Sequence, residues 1–200
     1  MSLKTVSGGK RLLFFYESIS VSDFRVVERQ MSERKFDPTL ILGVADHCPF
    51  GCPRVVVCSP LAGVTPFPTS FWLTCPWLSR VAGKLESSGG VGELERWIAS
   101  HSALEWLLFD IDHRLARLSL LPPAELNFLR RFRPRIFDRL RRDGVGGTRY
   151  DAGSTVRVKC IHLQIASWLA FRRHPGEEWL TAHSADQDCG GAMKGLCNLA

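Results

Sequence analysis

Short apolar runs separated by turn residues predict a small β-sheet in the first third of the chain. The runs at 12–16, 40–44 and 54–58 have the length and the β-branched or aromatic content of strands. A turn that contains proline and glycine, residues 47–53, connects the second run to the third, so these two strands should form a hairpin. Residues 71–74 predict a further short, buried strand.

Helical spacing replaces this pattern after the fourth strand. Residues 76–88 begin with a proline and stop at Gly89 and Gly90, which is typical of the two ends of a helix. From residue 91 onward, apolar residues recur at alternating intervals of three and four, which predicts a heptad stripe on one helix of roughly thirty residues. The stripe consists of Leu94, Trp97, His101, Leu104, Leu108, Ile111, Leu115 and Leu118.

Prolines divide the helical region and predict a hairpin of helices. Pro122 and Pro123 end the long helix, and residues 124–142 should return along it with a break at Pro134. We therefore expect an antiparallel helical hairpin over residues 91–143.

A last apolar stretch, residues 156–171, predicts a buried helix with Cys160 near its start. The strands and helices together predict a single α+β domain, in which helices pack on a small antiparallel sheet with a cysteine-bearing knuckle. Its expected parts are a core at 20–90 and 154–180, the hairpin as an insertion at 91–143, and an irregular tail at 181–200.

Composition places the chain among ordinary globular proteins and decides how its cysteines are interpreted. The chain is 45% hydrophobic and 23% charged, and no apolar run approaches the roughly 18–20 residues that span a membrane. The first apolar stretch is too short for a secretory signal, so we expect a cytoplasmic protein. In a reducing compartment, seven cysteines indicate metal binding or catalysis rather than disulfides.

Five potential metal ligands cluster in three short pieces of the chain. Two lie in the predicted hairpin turn, one follows the last strand, and two lie at the start of the buried helix. Thiolates and an imidazole at turns and element ends are typical zinc ligands. They are Cys48, Cys52, Cys75, Cys160 and His162. We expect a zinc site formed by Cys48, Cys75, Cys160 and either His162 or Cys52, whereas the roles of Cys189 and Cys197 in the tail stay open.

Three interpretations of these residues remain possible at this stage. Zinc with four protein ligands would be structural and would support a binding role. Zinc with one open position could activate water, as in a hydrolase. A nucleophilic Cys75 or Cys160 with His162 as its base would need no metal, although it leaves Cys48 and Cys52 without a role. The sequence does not decide whether the protein is an enzyme.

Basic charge is concentrated in one segment. Residues 130–142 contain seven arginines and one acid, Asp138, and the rest of the chain contains 19 basic and 19 acidic residues. Candidate anion-binding residues are Arg131, Arg135, Arg139, Arg142 and Lys159. They suit an anionic partner such as nucleic acid, polyphosphate or an acidic protein. In the alternative interpretation, the arginines pair with Glu105, Asp110 and Asp112 on the long helix. The stripe at 94–118 could also support self-association.

The order of several motifs resembles an uncharacterised bacterial family, domain of unknown function 501. The matching stretches are 47–56, 65–69, 71–76 and 157–162, which include His-Cys-Pro-Phe-Gly-Cys-Pro, Phe-Trp-Leu-Thr-Cys-Pro and Lys-Cys-Ile-His. The resemblance implies no established activity.

The family pattern also bears on the candidate ligands. The resemblance implies that Cys48 and the Lys-Cys-x-His residues of 159–162 are typical of the family. It implies that position 75 is either cysteine or histidine, as suits a metal ligand, and that position 52 is not always cysteine. Some members carry a second histidine where this chain has Ser167.

Overall fold

The chain folds as an α+β domain, as the sequence predicts. The structure is a computed structural model that describes residues 3–8, 11–150, 153–183, 185 and 187–197. The strands are β1 (Leu3–Gly8), β2 (Arg11–Glu17), β3 (Ile41–His47), β4 (Pro53–Cys58), β5 (Leu61–Ala62), β6 (Thr65–Pro66) and β7 (Phe71–Leu73). The helices are α1 (Val21–Gln30), α2 (Pro76–Ser87), α3 (Gly90–His101), α4 (Ala103–Ser119), α5 (Pro123–Phe132), α6 (Pro134–Arg142), α7 (Ile161–Phe171), α8 (Glu177–Ala182) and α9 (Lys194–Cys197).

The main sheet contains the predicted hairpin with its cysteine-bearing turn. Five strands pair in the order β1-β2-β3-β4-β7, and each pairs antiparallel with its neighbour. At the end of the β3–β4 hairpin, the N–H of Cys48 donates to the carbonyl of Cys52 at 2.8 Å. Gly51 adopts φ 77°, a left-handed conformation that glycine accepts without a steric penalty. The knuckle is therefore a tight turn that brings two cysteines close together.

Helix α7 covers one face of this sheet and forms the centre of the core. The helix is apolar on all sides and every residue except His162 is buried, which is typical of a helix enclosed in a protein interior. Phe71 of β7 meets Phe14 of β2 and Phe171 of α7 edge to face, with ring centroids 4.9 and 5.0 Å apart. The same packing fixes the start of α7 beside β7 and α2.

The predicted thirty-residue helix is two helices, with a break at Ser102. Ser102 has φ −148° and ψ 37°, and its hydroxyl donates to the carbonyl of Pro175 at 2.8 Å. The break changes which residues of α4 face inward, so that Trp106 and Phe109 are buried. The stripe residues Leu104 and Leu108 are instead 66% and 45% exposed.

The second half of the helical region breaks where the sequence predicts. Helix α5 ends at Phe132 and α6 begins at Pro134. Helix α6 packs against α4, whereas α5 packs mainly against α6, so only the last part of this region returns along the preceding helix. The exposed face of α4, which the sequence analysis associates with self-association, stays uncovered by the described residues.

One arginine attaches α6 and the following loop to α4. Arg117 is 1% exposed, and its guanidinium donates to four backbone carbonyls. The acceptors are Pro68 at 3.0 Å, Gly144 at 2.7 Å, Leu140 at 3.5 Å, and Asp143. Burial lowers the pKa of Arg117 to about 10.

The tail is more regular than predicted. Residues 177–182 form α8, and residues 194–197 form the short helix α9 inside the segment expected to be irregular. Helix α9 packs against α1, which places Cys197 next to the knuckle. None of the helices in the described part of the chain is long and apolar enough to cross a membrane.

Candidate functional site

Four cysteines from three parts of the chain, together with Cys189, line one cavity, which we call the thiol cavity. Cys48 and Cys52 come from the knuckle, Cys75 precedes α2, and Cys197 ends α9. The cavity has a volume of about 260 Å³. Further residues that line it include Gln30, Phe50, Leu78, Cys189 and Met193.

Polar contacts hold Cys197 beside the knuckle. The side-chain amide of Gln30 donates to the carbonyl of Pro53 at 3.1 Å and to the Sγ of Cys197 at 3.4 Å. The thiol of Cys52 donates to the carbonyl of Cys197 at 3.5 Å. Gln30 therefore connects the last turn of α1 both to the knuckle and to the tail.

The four thiols also affect one another electrostatically. Burial raises the pKa of Cys52 to about 12, and contacts with the thiols of Cys48 and Cys197, including hydrogen bonds, add to the rise. Burial also raises the pKa of Cys75, and the neighbouring Cys197 and Cys48 act in the same direction. The amides of Leu78 and Trp77 at the start of α2 oppose that rise, because N–H groups at a helix N-terminus favour a thiolate. The raised pKa values of Cys52 and Cys75 favour their protonated forms.

The thiols do not form a coordination sphere in this structure. Among the described residues, no group of three or more His, Cys, Asp or Glu side chains is arranged to hold a metal ion. All seven cysteines are free thiols. The thiol cavity is thus a cluster of soft ligands that would have to move closer together to bind a single ion.

A buried aspartate supports the base of the knuckle. Asp46 on β3 is 3% exposed, and its two carboxylate oxygens contact different arginines. One oxygen pairs with Nε of Arg54 on β4 at 2.5 Å, and the other pairs with Arg172, just after α7, at 2.6 Å. These pairs connect the hairpin to the core next to the cysteines.

The other two predicted ligands lie in a different place. Cys160 and His162 line a second cavity of about 270 Å³, which we call the α7 cavity. Its other lining residues are Arg34, Thr69, Phe71, Trp72, Leu73, Lys159 and Leu163. The structure therefore divides the five predicted ligands between two cavities. Helix α7 does begin between Cys160 and His162, but this start faces Glu86 instead of the knuckle.

Glu86 of α2 organises the start of α7. One of its carboxylate oxygens, Oε1, accepts hydrogen bonds from the N–H of Ile161 at 2.7 Å and the N–H of His162 at 3.2 Å. The same oxygen lies 2.9 Å from Nδ1 of His162. An anionic carboxylate at a helix N-terminus is favourable, because the first N–H groups have no partner within the helix. Residues 85 and 86 also belong to the motifs that resemble the family, but the sequence analysis gave Glu86 no role at the site, since it lies in another helix 76 residues before His162.

Cys160 is in surroundings that disfavour a reactive thiolate. Burial raises its pKa, and Glu86 adds to this rise. The amides of Leu163 and His162 and the ammonium of Lys159 act in the opposite direction, but they do not reverse it. A nucleophilic cysteine generally requires a lowered pKa, so this geometry gives no support to the Cys/His nucleophile interpretation.

Lys159, the residue before Cys160, has an unusual backbone. It adopts φ 70°, which is uncommon for a residue that has a side chain. Its ammonium donates to the carbonyl of Gly146 at 2.7 Å. A Cβ on Gly146 would lie 2.7 Å from both Lys159 and Leu163, so glycine is required for this approach. The loop at 145–147 thus holds Lys159 at the α7 cavity.

The other predicted anion-binding residues lie on α5 and α6, far along the chain from Lys159. Exposed arginines of this segment form what we call the arginine surface, which includes Arg131, Arg135, Arg139 and Arg142. Two of them have acidic partners in α6 or just after it: Arg142 pairs with Asp138 at 2.8 Å, and Arg139 pairs with Asp143 at 3.6 Å.

The acids proposed as partners on the long helix are used elsewhere. Asp110 pairs with Arg114 at 2.6 Å, and Asp112 pairs with Arg173. Glu105 is exposed and has no ion pair with residues 130–142 in the described part of the chain. The interpretation in which these three acids neutralise the arginines is therefore wrong.

Comparison with known proteins identifies the family but not an activity. A family model described as a protein of unknown function, DUF501, matches residues 44–182. This match covers more than half of the chain, so the chain belongs to the DUF501 family. No curated protein and no solved structure matches it. The matched region contains the knuckle, Cys75 and the start of α7, whereas Cys197 lies outside it.

Proposed function

We propose that this member of the DUF501 family binds one zinc ion through Cys48, Cys52, Cys75 and Cys197. The observation that carries the proposal is the convergence of four thiols from three chain segments on one cavity. Four thiolates are a frequent ligand set of structural zinc.

The chemistry of the thiol cavity supports a soft metal ion. Cys52 makes hydrogen bonds with Cys48 and Cys197, so these sulfurs are already neighbours. Burial and the neighbouring thiols oppose the ionisation of Cys52 and Cys75, and a bound divalent cation would counteract both effects. Zinc replaces the thiol protons when it binds, which makes its affinity dependent on pH.

The proposed ligands indicate a structural role that supports binding rather than catalysis. Four protein ligands leave no open position for a water molecule. The ion would join the β3–β4 hairpin, the N-terminus of α2 and the tail helix α9, which are separate in sequence. The free energy of zinc binding would therefore stabilise the folded arrangement of these three segments. Cys160 and His162 are not part of this ligand set, because they line the α7 cavity.

The metal content of purified variants tests this proposal. The untagged full-length protein, produced with zinc in the medium, should contain about one zinc per chain by elemental mass spectrometry. Cys48→Ser and Cys75→Ser should lose most of that zinc. Cys160→Ser is the matched control, because it removes a thiol from the other cavity, and it should keep the zinc.

Two results would contradict the zinc proposal. One is the absence of metal from the wild-type protein together with fewer than seven free thiols, which would indicate disulfides in the cavity. The other is zinc that is lost from Cys160→Ser but retained by Cys48→Ser, which would show that the metal site lies in the α7 cavity.

A second candidate function, the binding of an anionic partner, rests on the arginine surface. Arg131 and Arg135 are exposed, and neither forms an ion pair with an acidic side chain in the described part of the chain. Phe128 and Phe132 are 48% and 54% exposed beside them, and the guanidinium of Arg131 lies over the Phe132 ring at 5.2 Å. Guanidinium groups and exposed aromatic rings together suit a nucleic acid or another polyanion.

Charge reversal tests the second candidate. Arg131→Glu with Arg135→Glu should abolish the shift of a labelled single-stranded RNA in a gel and should reduce the salt dependence of binding. Arg25→Glu with Arg29→Glu is a control with the same change in net charge on a different helix, and it should bind normally. Equal loss in both double variants would show that only net charge matters.

A further inference from the structure

The α7 cavity combines an apolar lining with cationic groups and one oriented imidazole. Phe71, Trp72 and Leu73 of β7 and Leu163 of α7 supply the apolar surface. Arg34 and Lys159 supply N–H groups that can donate hydrogen bonds, and His162 supplies a ring nitrogen. Pockets of this kind, apolar with a few polar groups at defined positions, are typical of small-molecule sites.

Each cationic group of the cavity is held by a backbone carbonyl. Arg34 donates one N–H to the carbonyl of Leu73 at 3.2 Å, and Lys159 donates one N–H to Gly146 at 2.7 Å. A guanidinium has five N–H groups and an ammonium has three, so most of their donor capacity remains. The carbonyls thus position the two charges without neutralising them.

The backbone of Lys159 adopts a conformation that is unfavourable for a residue with a side chain. A φ of 70° at a residue with a side chain costs free energy and persists only where the surroundings enforce it. Such conformations are frequent at ligand sites. Here this backbone conformation places the lysine side chain at the cavity and Cys160 at the start of α7.

Glu86 gives the imidazole of His162 a defined orientation. Its carboxylate accepts the proton of Nδ1, at 2.9 Å, which leaves Nε2 as the nitrogen available for a ligand. Because Glu86 also occupies the N–H groups of Ile161 and His162, the helix start is already satisfied. A ligand anion would therefore be bound by side chains and not by the end of α7.

We infer that the α7 cavity binds a small phosphorylated compound with an apolar portion. Arg34 and Lys159 donate to the phosphoryl oxygens, and Nε2 of His162, which carries no proton, accepts a hydrogen bond from the phosphoryl hydroxyl. The apolar portion lies against Trp72 and Leu163. Two cationic donors and one acceptor nitrogen match a phosphoryl group, which has three oxygens and can keep one proton, better than they match a carboxylate. Glu86 is a positioning residue that acts through His162. This inference goes beyond the zinc proposal and does not depend on it.

The inference is tested by ligand titration of the full-length protein. Phenylphosphonate, a phosphoryl group on a benzene ring that resists hydrolysis, is added to protein labelled with ¹⁵N-histidine. We expect it to shift the ring nitrogen signals of His162 in long-range ¹H–¹⁵N spectra, whereas the exposed His101 should not respond. Benzyl alcohol, which has the ring without the charge, should leave His162 unchanged at the same concentration.

Variants test separately the cationic groups, the orientation of the His162 ring and the backbone conformation of Lys159. Arg34→Met and Lys159→Gly should each weaken phenylphosphonate binding about tenfold or more, as expected for the loss of a charged hydrogen bond. Arg80→Met, which removes an exposed arginine of α2, should bind like the wild type. Lys159→Gly should fold at least as stably as the wild type, because glycine tolerates the backbone conformation. Glu86→Gln should give a mixture of His162 tautomers in the ¹⁵N spectrum.

Three results would overturn the inference. The first is a titration in which phenylphosphonate shifts no signal of His162. The second is an equal shift with benzyl alcohol, and the third is an Arg80→Met variant that binds as weakly as Arg34→Met. A single tautomer in Glu86→Gln that matches the wild type would remove the positioning role of Glu86. All of these results leave the zinc proposal unaffected, because they concern residues outside the thiol cavity.

Discussion

Protonation of a buried histidine should make this protein less stable in mild acid. His174, in the loop after α7, is buried, with Nε2 donating to the Gln164 side chain at 2.9 Å and Nδ1 accepting from the N–H of Gly176 at 2.8 Å. The ring of Phe109 lies 4.9 Å away. A second proton would break the bond to Gly176 and place a charge in apolar surroundings. Burial accordingly lowers the pKa of His174 from 6.5 to about 3.

The direction and size of the effect follow from proton binding in the two states. The unfolded chain binds this proton below about pH 6.5, whereas the folded protein binds it only below about pH 3. The contribution to stability is therefore complete above about pH 6.5 and is lost progressively as the pH falls toward 3. Between the two pKa values, each pH unit lowers the free energy of unfolding by about 1.36 kcal/mol. Lowering the pH from 6.5 to about 5 therefore removes about 2 kcal/mol.

Urea unfolding of the wild type and His174→Gln at pH 7 and at about pH 5 measures this loss. The difference between their free energies of unfolding should shrink by about 2 kcal/mol at the lower pH, because glutamine does not titrate. His113 is also buried with a pKa well below its usual value, but its contribution cancels because both proteins contain it. An equal difference at both pH values, or an NMR titration of His174 near pH 6.5, would refute this reasoning.

Two further predictions concern the loop that supports the α7 cavity and α6. Arg117→Met keeps the apolar stem but leaves four carbonyls, two of them in buried hydrogen bonds, without their donor. It should lower the free energy of unfolding by about 3–5 kcal/mol in urea titrations. A loss below about 1 kcal/mol would show that water replaces the guanidinium. Gly144→Ala should lower the free energy of unfolding by about 2–4 kcal/mol in the same assay. The added Cβ would lie 1.7 Å from the carboxylate of Asp110, and this carboxylate accepts a hydrogen bond from the N–H of Val145 at 2.9 Å. An alanine variant as stable as the wild type would show that the loop can move away from Asp110.

Local patterns in the sequence were sufficient to predict the knuckle. The two β-branched strands and the proline- and glycine-containing turn at 47–53 specify a hairpin by themselves, so the proximity of Cys48 and Cys52 could be predicted. The N-terminal position of Cys75 was similarly evident from Pro76.

Features that depend on distant contacts could not be predicted in this way. The break at Ser102 is accompanied by a hydrogen bond to Pro175, 73 residues later, whereas the heptad spacing continues across it. The approach of Cys197 to Cys52 spans 145 residues and depends on the packing of α9 against α1. Glu86 likewise reaches His162 only because α2 and α7 pack together. The motifs therefore indicated candidate residues but not how they are grouped.

X-ray absorption at the zinc edge of the purified full-length protein tests the central claim most directly. Four thiolate ligands predict four sulfur neighbours at about 2.3 Å and no imidazole scattering. The same spectrum should be given by His162→Ala, since that residue lies in the α7 cavity. A nitrogen neighbour at about 2.0–2.1 Å that disappears in His162→Ala, or a protein that retains no zinc, would contradict the proposed site.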